Sequence, residues 1–244
     1  MSEPDRGRYA ARLADSPGDR DRALALRARC FRGGAPDADR FDDACHHFLV
    51  EETGQGRLAC TFRLLPLAAG GEIGRSYSAQ HYDLAPLEGF AGPMVEMGRF
   101  CIDPGIRDGD VLRVAWGAVT RFVDETGTQM LFGCSSFEGT EAGRYLDAFA
   151  VLRDRHLAPQ QWLPRVKAHD VFRFARGRAA PPRPDTRRAM KGMPPLLRSY
   201  LAMGGWVSDH AVVDRDLGTM HVFTGLEIAA IPPARVRALR AVAG

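Results

Sequence analysis

The stretch MVEMGRFCI, residues 94–102, decides how this chain folds. It is mostly apolar and stops at Asp103-Pro104-Gly105, a turn sequence that does not continue a strand. From about Asp110 to Glu125 the apolar residues follow helical spacing and form a broad face, which predicts a buried amphipathic helix. The short apolar run from Gln129 to Ser135 predicts a second buried strand. This order of strand, helix and strand is typical of an α/β fold.

Further elements are predicted on both sides of this unit. Turn signals and apolar patterning predict other strands at 8–13, 45–52, 57–65, 166–175, 206–213 and 219–228. Capping residues and helical spacing predict other helices at 18–31, 140–156, 194–203 and 232–242. Residues 70–93 are expected to be irregular apart from one helical turn near Ser78 to Tyr82, and a basic Pro/Arg-rich loop is expected at about 177–190. We therefore expect one α/β sandwich domain over residues 1–244, with a central twisted mixed sheet.

The composition is that of an ordinary globular protein, with 45% hydrophobic and 26% charged residues. No apolar run reaches the roughly 18–20 residues that span a bilayer. The first residues, Met1 to Arg6, lack the apolar segment of a signal peptide. We therefore expect a cytoplasmic protein whose contact with the inner membrane, if any, is peripheral.

The net charge of +3 conceals one strongly basic segment. From Arg153 to Lys191 the chain carries eleven Lys or Arg and three Asp residues, a net charge of +8. Such a surface attracts acidic partners, which include nucleic acid, anionic lipid and an acidic carrier protein. It can equally be a solvated surface without a partner.

Charged residues also stand within or beside the apolar strands. Glu96 and Arg99 interrupt the 94–102 strand, and Arg63 opens the sequence Arg63-Leu64-Leu65-Pro66 at the end of an earlier strand. A buried charge is costly unless it is matched, so Glu96 should have a partner, and Arg63 is the expected one. An ion pair of this kind can be structural or part of a functional site.

Metal and cysteine chemistry are not expected. The five cysteines are scattered and form no CxxC pair. Cys45-His46-His47 looks like a metal cluster, but neighbouring side chains on a strand point to opposite faces. Cys101 and Cys134 fall on predicted buried strands, where a thiol usually packs as an apolar group. A cysteine-bound intermediate is therefore disfavoured, and no metal site is predicted.

The chemistry-bearing residues follow one another in a recognisable order. The set that resembles the acyl-homoserine lactone synthases is Arg27, Phe31, Asp39, Asp42, Arg63, Glu96, Arg99 and Phe100. Five longer stretches resemble the bacterial L-ornithine Nα-acyltransferases more closely: FDDACHHFLV (41–50), EMGRFCI (96–102), LFGCSSFEGT (131–140), PPLLRSYL (194–201) and VDRDLGT (213–219). The resemblance runs from about Arg8 to Ile228. It implies the GNAT fold and transfer of a (3-hydroxy)fatty acyl group from acyl carrier protein to the α-amine of L-ornithine, which gives lyso-ornithine lipid.

The resemblance also implies roles for individual residues. Glu96 would be the base or would position a water, and the backbone N–H groups near Phe100 and Cys101 would stabilise the oxyanion. The expected substrate contacts are Arg27, Phe31, Asp39, Asp42, Arg63 and Arg99. Asp39 and Asp42 would hold amino groups, and Arg27 or Arg63 would bind a carboxylate. Alternatively, these charged residues form an ion network that orders a loop.

One departure from ordinary GNAT enzymes bears on the acyl donor. Those enzymes bind the pyrophosphate of coenzyme A on a glycine-rich loop after the Glu-bearing strand. Here the corresponding residues are Arg107-Asp108-Gly109-Asp110, so Arg107 and Gly109 remain but two carboxylates would repel a pyrophosphate. We therefore expect no bound cofactor and an acyl carrier protein as donor, contacted by Arg183, Arg187 and Arg188. Nucleic acid is not an expected partner.

Three other functions remain open. The acceptor could be another amino acid, such as glutamine. The chain could be an acyl-homoserine lactone synthase, although residues 33–37 lack the aromatic residue that follows the first helix in that family. It could also be a module that binds acyl carrier protein without catalysis, which the joint presence of Glu96, Arg63 and Arg99 disfavours.

Overall fold

The computed structural model describes residues 7–176 and 183–243. The strands of these residues are β1 (Tyr9–Leu13), β2 (His46–Glu52), β3 (Leu58–Leu67), β4 (Tyr82–Asp83), β5 (Met94–Ile102), β6 (Met130–Glu138), β7 (Arg165–Val166), β8 (Val171–Phe172), β9 (Trp206–Asp214) and β10 (Thr219–Glu227). The helices are α1 (Pro17–Phe31), α2 (Gly109–Thr126), α3 (Leu146–Arg155), α4 (Thr186–Gly192), α5 (Pro195–Ala202) and α6 (Pro233–Ala243). Short 3-10 turns lie among them.

The chain divides into two compact units, each assembled from separate segments. The described residues of the first unit fall within Met1–Pro66, Met97–Thr128 and Pro233–Gly244. Those of the second unit fall within Leu67–Glu96 and Gln129–Pro232. Strand β5 begins in the second unit and continues into the first.

The first unit has the strand order β1-β2-β3-β5, and both β1 and β3 pair antiparallel with β2. Helix α1 begins after Ser16, whose side chain accepts a hydrogen bond from the backbone N–H of Asp19. Helix α2 ends at Gly127, which adopts a left-handed conformation with φ of 62°. A small core joins α1 to the strands through Ala23, Leu26, Leu49, Leu58 and Cys101.

The second unit has the strand order β5-β6-β10-β9-β8, with β10 antiparallel to both β6 and β9. Strands β4 and β7 form a separate antiparallel pair. Gly225 is required on β10, because a Cβ atom there would lie 2.4 Å from the Trp206 ring. The core combines β-strand side chains with those of α3, α4 and α5, among them Phe137, Phe149, Leu152, Phe174, Ala189, Leu197 and Val222.

The α/β architecture expected from the sequence is confirmed. Strand β5 has the predicted ends, and helix α2 is one residue longer at each end than the predicted 110–125. The irregular segment 70–93 contains three 3-10 turns and the two-residue strand β4. The expectation of one domain over residues 1–244 stays a prediction.

Three predicted elements were wrong. The strand expected at 166–175 is two short strands, β7 and β8, because the exposed polar residues Lys167, His169 and Asp170 interrupt it. Helix α3 starts at Leu146 and not after Thr140, since the 3-10 turn Ala142–Tyr145 contributes no buried side chain. Part of the basic loop expected at 177–190 is helical: α4 starts at Thr186, capped by the Asp185 side chain. Residues 177–182 of that loop lie outside the described residues.

No helix in the described part of the chain combines the length and the apolar character that a membrane crossing requires.

Candidate active site

Glu96 is a buried carboxylate held by three hydrogen bonds within the second unit. It lies on β5 and is 4% exposed. Its Oε2 atom accepts from the backbone N–H of Tyr77 at 2.8 Å. Its Oε1 atom accepts from the backbone N–H of Ser78 at 2.7 Å and from the Ser78 hydroxyl at 2.6 Å. Charge-assisted hydrogen bonds of this kind fix both the position and the orientation of the carboxylate.

Two further groups of the second unit are linked to Glu96 less directly. The Ser78 hydroxyl lies 3.4 Å from the Cys134 sulfur on β6. Burial raises the pKa of the Tyr200 hydroxyl well above its usual value, and the negative charge of Glu96 raises it further. Glu96 is therefore bonded to a serine that also contacts a thiol, and it interacts electrostatically with a neutral phenol.

Sequence reasoning did not find Tyr77, Ser78 and Tyr200. Tyr77 and Ser78 lie in the irregular segment 70–93, which has no periodicity that reveals where its backbone N–H groups point. Tyr200 stands within PPLLRSYL, one of the stretches that carry the family resemblance. Its position in that stretch is the signal from which Tyr200 could have been found, but the stretch indicates no chemical role for it.

The predicted substrate contacts Arg27, Asp39, Asp42, Arg63 and Arg99 come together in the first unit as an ion network. The Arg27 guanidinium donates to Asp37 Oδ2 at 2.9 Å and to Asp42 Oδ1 at 2.6 Å. The Arg63 guanidinium donates hydrogen bonds to both carboxylate oxygens of Asp39, at 2.6 and 2.8 Å, and to Asp42 Oδ1 at 2.5 Å. Asp37 was missed, although it stands close before Asp39 and Asp42 in a chain segment rich in arginine.

Arg99 joins the same network from an unusual backbone conformation. Its φ of 52° places it in the left-handed region, which is costly for a residue other than glycine. Its Nε donates to Asp37 at 3.0 Å, and an Nη atom lies 3.2 Å from Asp39. The guanidinium also lies over the Phe31 ring, 5.9 Å from its centre. These contacts hold the Arg99 side chain in place against the backbone cost.

Burial separates the members of the network into two groups. The side chains of Arg27, Asp37 and Asp42 are at most 1% exposed. Asp39 is different, because 22% of its side chain is exposed. The buried members therefore fit an ion network that orders the 37–42 segment, which is one of the two roles left open by the sequence. Asp39 is partly exposed, so its carboxylate can still contact a ligand.

The expected pair of Glu96 and Arg63 joins residues of different units, and it stays a prediction. The structure identifies hydrogen-bond donors for Glu96, on Tyr77 and Ser78, that the sequence did not predict.

The network makes stability depend on pH in the acid range. Burial alone would raise the pKa of Asp42, but hydrogen bonds from Arg27 and from the backbone N–H of Asp39 lower it to about 2. In the unfolded chain the Asp42 carboxyl binds a proton near pH 4. The contribution of Asp42 to stability is therefore fully present above that pH and is lost as the pH falls through about 2. We expect Asp42 to contribute roughly 2 kcal/mol of this pH-dependent loss.

Urea unfolding between pH 5 and pH 2 measures this dependence. Asp42→Asn should be less stable at pH 5 and should show a shallower decline toward pH 2. Asp43→Asn, at the exposed neighbour that pairs with Arg20, serves as the matched control. An unchanged decline in Asp42→Asn would show that other carboxylates cause it.

Phe100 and Cys101, the predicted oxyanion positions, lie on β5 in the first unit. Phe100 stacks on Phe62 with ring centres 5.7 Å apart. A hydrogen bond with Cys30, together with burial, holds the pKa of the Cys101 thiol well above its usual value. This thiol is a packed, protonated group, and the role of the backbone near it stays a prediction.

The predicted donor-binding positions lie in both units. In the first, Arg107 is exposed, Gly109 is the first residue of α2, and the Asp108 side chain caps that helix through the backbone N–H of Asp110 at 3.0 Å. In the second unit, Arg183, Arg187 and Arg188 are exposed.

A groove of about 560 Å³ lies next to α4 in the second unit. Its lining includes the exposed cations Arg144, Arg188 and Lys191. Arg188 also pairs with Asp147 at 3.3 Å. The groove therefore carries positive charge beside one of the three predicted docking arginines.

His46 and His47 point to opposite faces of β2, as the sequence predicted. His46 is exposed, whereas His47 is buried and its Nε2 lies 2.9 Å from the backbone oxygen of Asp42. Burial lowers the pKa of His47, so the ring is neutral near pH 7.

Comparison with known proteins assigns the chain to a family. Residues 27–117, which contain both the ion network and Glu96, match the family model of the acetyltransferase (GNAT) domain. An L-ornithine N(alpha)-acyltransferase from Rhodobacter capsulatus is 32% identical over 200 residues, which cover 80% of this chain and 76% of the relative. The chain belongs to the L-ornithine Nα-acyltransferase family. The resemblance inferred from the sequence motifs is thereby confirmed.

Solved structures similar to this member of the L-ornithine Nα-acyltransferase family confirm the GNAT-like fold. FeeM, an N-acyl amino acid synthase from uncultured soil microbes, has 12% identity, 97% coverage of both chains and a TM-score of 0.50. MesI, a CoA-dependent acyl-homoserine lactone synthase, has 10% identity, a TM-score of 0.50, and coverage of 97% of this chain and 95% of its own. At such identities the likeness concerns the fold alone. The family assignment establishes that this chain is an acyltransferase.

Proposed function

We propose that this chain transfers a (3-hydroxy)fatty acyl group from acyl carrier protein to the α-amine of L-ornithine, forming lyso-ornithine lipid. Its membership of the L-ornithine Nα-acyltransferase family supports the acceptor. The structural observation that carries the proposal is the buried Glu96, which three hydrogen bonds from Tyr77 and Ser78 hold on β5. A carboxylate fixed in this way is suited to a proton transfer in a site that contains little water.

The chemistry requires the acceptor nitrogen to lose two protons. The α-amine is mostly protonated near pH 7, so Glu96 accepts the first proton from it directly or through a water. The amine nitrogen then bonds to the thioester carbon and loses its second proton, the C–S bond breaks, and the sulfur takes up that second proton and leaves as the thiol of the carrier. Backbone N–H groups near Phe100 and Cys101 stabilise the tetrahedral oxyanion in this proposal.

The ion network has a mainly structural part in the proposal. Arg27 and Asp42 have almost no exposed surface, so they fix the 37–42 segment and do not bind the substrate. Asp39 is the member of the network proposed to contact an amino group of the acceptor, because it is partly exposed.

The chemistry at the start of α2 supports a carrier protein as donor. Asp108 caps the helix and lies 3.1 Å from Arg8, and Asp110 adds a second carboxylate in the first turn. These charges oppose the binding of a pyrophosphate at this helix terminus, where a glycine-rich loop would favour it. A phosphopantetheine arm carries a single phosphate, so the carboxylates at this terminus repel it less than they would a pyrophosphate.

We expect acyl carrier protein to be a better donor than acyl-CoA with the same acyl chain. Steady-state rates with each donor, at matched chain length and ornithine concentration, measure the preference as a ratio of kcat/KM values. Asp108→Asn and Asp110→Asn together should improve the rate with acyl-CoA relative to that with the carrier protein. Equal kcat/KM values for the two donors in the unaltered protein would contradict this account of the helix terminus.

Carrier-protein docking is expected to depend on the exposed arginines near α4. Arg183→Glu combined with Arg187→Glu should weaken carrier-protein binding by about tenfold or more at low salt, because two attractive charges become repulsive. Arg188 is left unchanged, since its reversal would also break the pair with Asp147. Arg235→Glu with Arg237→Glu, two exposed positions on α6, is the matched control. Unchanged affinity in the first variant would place the docking surface elsewhere.

The proposal places the reaction in the cytoplasm with peripheral contact at the inner membrane, because the donor is a soluble carrier and the product is a lipid. Expression in a host that lacks aminolipids, followed by lipid mass spectrometry, tests the function directly. The expected product is lyso-ornithine lipid. A lyso-lipid of glutamine would identify another acceptor, an acyl-homoserine lactone would identify a signal synthase, and no new lipid would favour a carrier-binding module.

A further inference from the structure

Three side chains of the second unit, outside the Glu96 cluster, converge on one point. His81, Asp214 and His221 each offer a ligand atom, and these atoms lie within 4.8 Å of one another. Asp214 ends β9, His221 lies on β10, and His81 precedes β4. His221 pairs with Val212 and Thr219 pairs with Asp214, so Asp214 and His221 are diagonal neighbours on one face of the hairpin.

The Nε2 atom of His221 has no hydrogen-bond partner among the described residues. His221 is 2% exposed, so water does not readily replace the missing partner. A buried side-chain nitrogen without a partner requires an explanation, and a bound ion is one that satisfies it.

The tautomer of His221 follows from Tyr82. The Tyr82 hydroxyl donates its proton to the backbone oxygen of His221 at 2.8 Å. The Nδ1 of His221, 3.1 Å from the same hydroxyl oxygen, must then carry the ring proton and donate it. The lone pair is therefore on Nε2, the atom without a partner. An outer hydrogen bond that fixes the ring in this way is usual for histidines that bind metals.

We propose that His81, Asp214 and His221 bind one divalent transition-metal ion, for which zinc is the best fit. Two imidazoles and one carboxylate are the ligand types of zinc sites with an open fourth position. Magnesium and calcium prefer oxygen ligands and fit this set poorly. Ligand atoms around a zinc ion lie roughly 3.4 Å apart, so binding draws the group together. His81 is only half-buried and lies in a turn, so it has the most room to move.

The bound ion would stabilise the 3-10 turn Ser78–Gln80, which lies next to the N–H groups that position Glu96. His81 closes the 3-10 turn Ser78–Gln80, and the same segment supplies the N–H groups of Tyr77 and Ser78 to Glu96. A metal bond from His81 to the β9–β10 hairpin ties this segment to two long strands. The sequence did not predict a metal site, because the three ligands are far apart in the chain and form no spaced motif.

Zinc titration of chelator-treated full-length protein by isothermal calorimetry tests the proposal, and the result does not depend on which acceptor is acylated. We expect one zinc ion per chain. Loss of an outer hydrogen-bond partner weakens metal affinity by about 10–100-fold, so Tyr82→Phe should show that loss and Asp214→Asn or His221→Gln at least as much. His156→Gln, at a half-buried histidine outside the group, should retain full affinity.

His81→Gln keeps the test decisive if the buried substitutions prevent folding. Its circular dichroism should match that of the unaltered protein, and it should lose the visible absorption that bound cobalt(II) gives in the unaltered protein. Zinc should also raise the Tm of the unaltered protein and leave that of His81→Gln unchanged. No binding by the unaltered protein, or equal affinity in His81→Gln and His156→Gln, would overturn the assignment.

Discussion

Glu96→Gln is expected to lower the rate of acyl transfer by about 100- to 10,000-fold, the usual contribution of a general base. The amide has the shape of the carboxylate but cannot accept the proton of the amine. Its oxygen can keep both hydrogen bonds from Ser78, while its NH2 group then faces the N–H of Tyr77. Leaving that buried donor unpaired should reduce stability by about 1–3 kcal/mol without unfolding the protein.

Turnover with an acylated carrier protein and the Tm of each variant measure these two effects separately. Glu88→Gln, an exposed glutamate of the same unit, should change neither. Ser78→Ala removes one of the three donors but keeps the carboxylate, so it should retain more activity than Glu96→Gln. Near-normal turnover in folded Glu96→Gln would remove Glu96 from the proton transfer.

Arg27→Ala is expected to lower the free energy of unfolding by about 3–5 kcal/mol, because removing one partner of a buried ion pair leaves uncompensated charge. The carboxylates of Asp37 and Asp42 would lose their bonds to Arg27, and neither side chain has measurable exposure. Urea unfolding at pH 7 gives the change. Arg29→Ala, an exposed arginine on the same helix that pairs with Asp103, should cost about 0–1 kcal/mol.

Kinetics of the folded Arg27→Ala protein distinguish the two roles that the sequence left open. If Arg27 only orders the 37–42 segment, the KM for the amino acid should change little at a temperature where the variant is folded. A large rise in that KM with unchanged kcat would instead identify Arg27 as a substrate ligand. A stability loss below about 1 kcal/mol would mean that other donors satisfy the two aspartates.

The sequence predicted most accurately what depends on periodicity. Strand β5, helix α2 and the start of β6 follow from apolar spacing and from the Asp103-Pro104-Gly105 stop. The grouping of Arg27 with Asp39, Asp42, Arg63 and Arg99 came from the order of motifs, and the structure brings these side chains into one network. Their roles were less predictable, because exposure decides between a ligand and a buried support, and spacing does not report exposure for charged residues in a loop.

The environment of Glu96 could not be predicted for a different reason. Two of its three donors are backbone N–H groups at the start of a 3-10 turn, and every residue except proline carries such a group. Which of them converge on one carboxylate depends on the path of the 70–80 segment, which has no sequence periodicity. The strand expected at 166–175 failed similarly, since short pairings with β4 and β9 replaced one continuous element.

The way in which the chain supplies the two compact units limits how such a protein can be altered by exchanging gene segments. The first unit draws on three separate stretches of the chain, and the second on two. A single crossover therefore cannot replace either unit intact, and a crossover within codons 94–102 would divide β5 between parents. Productive chimaeras between relatives should accordingly need several crossovers, near residues 66, 128 and 232 and at a position just outside β5, because the chain passes from one unit to the other at residues 66, 96, 128 and 232.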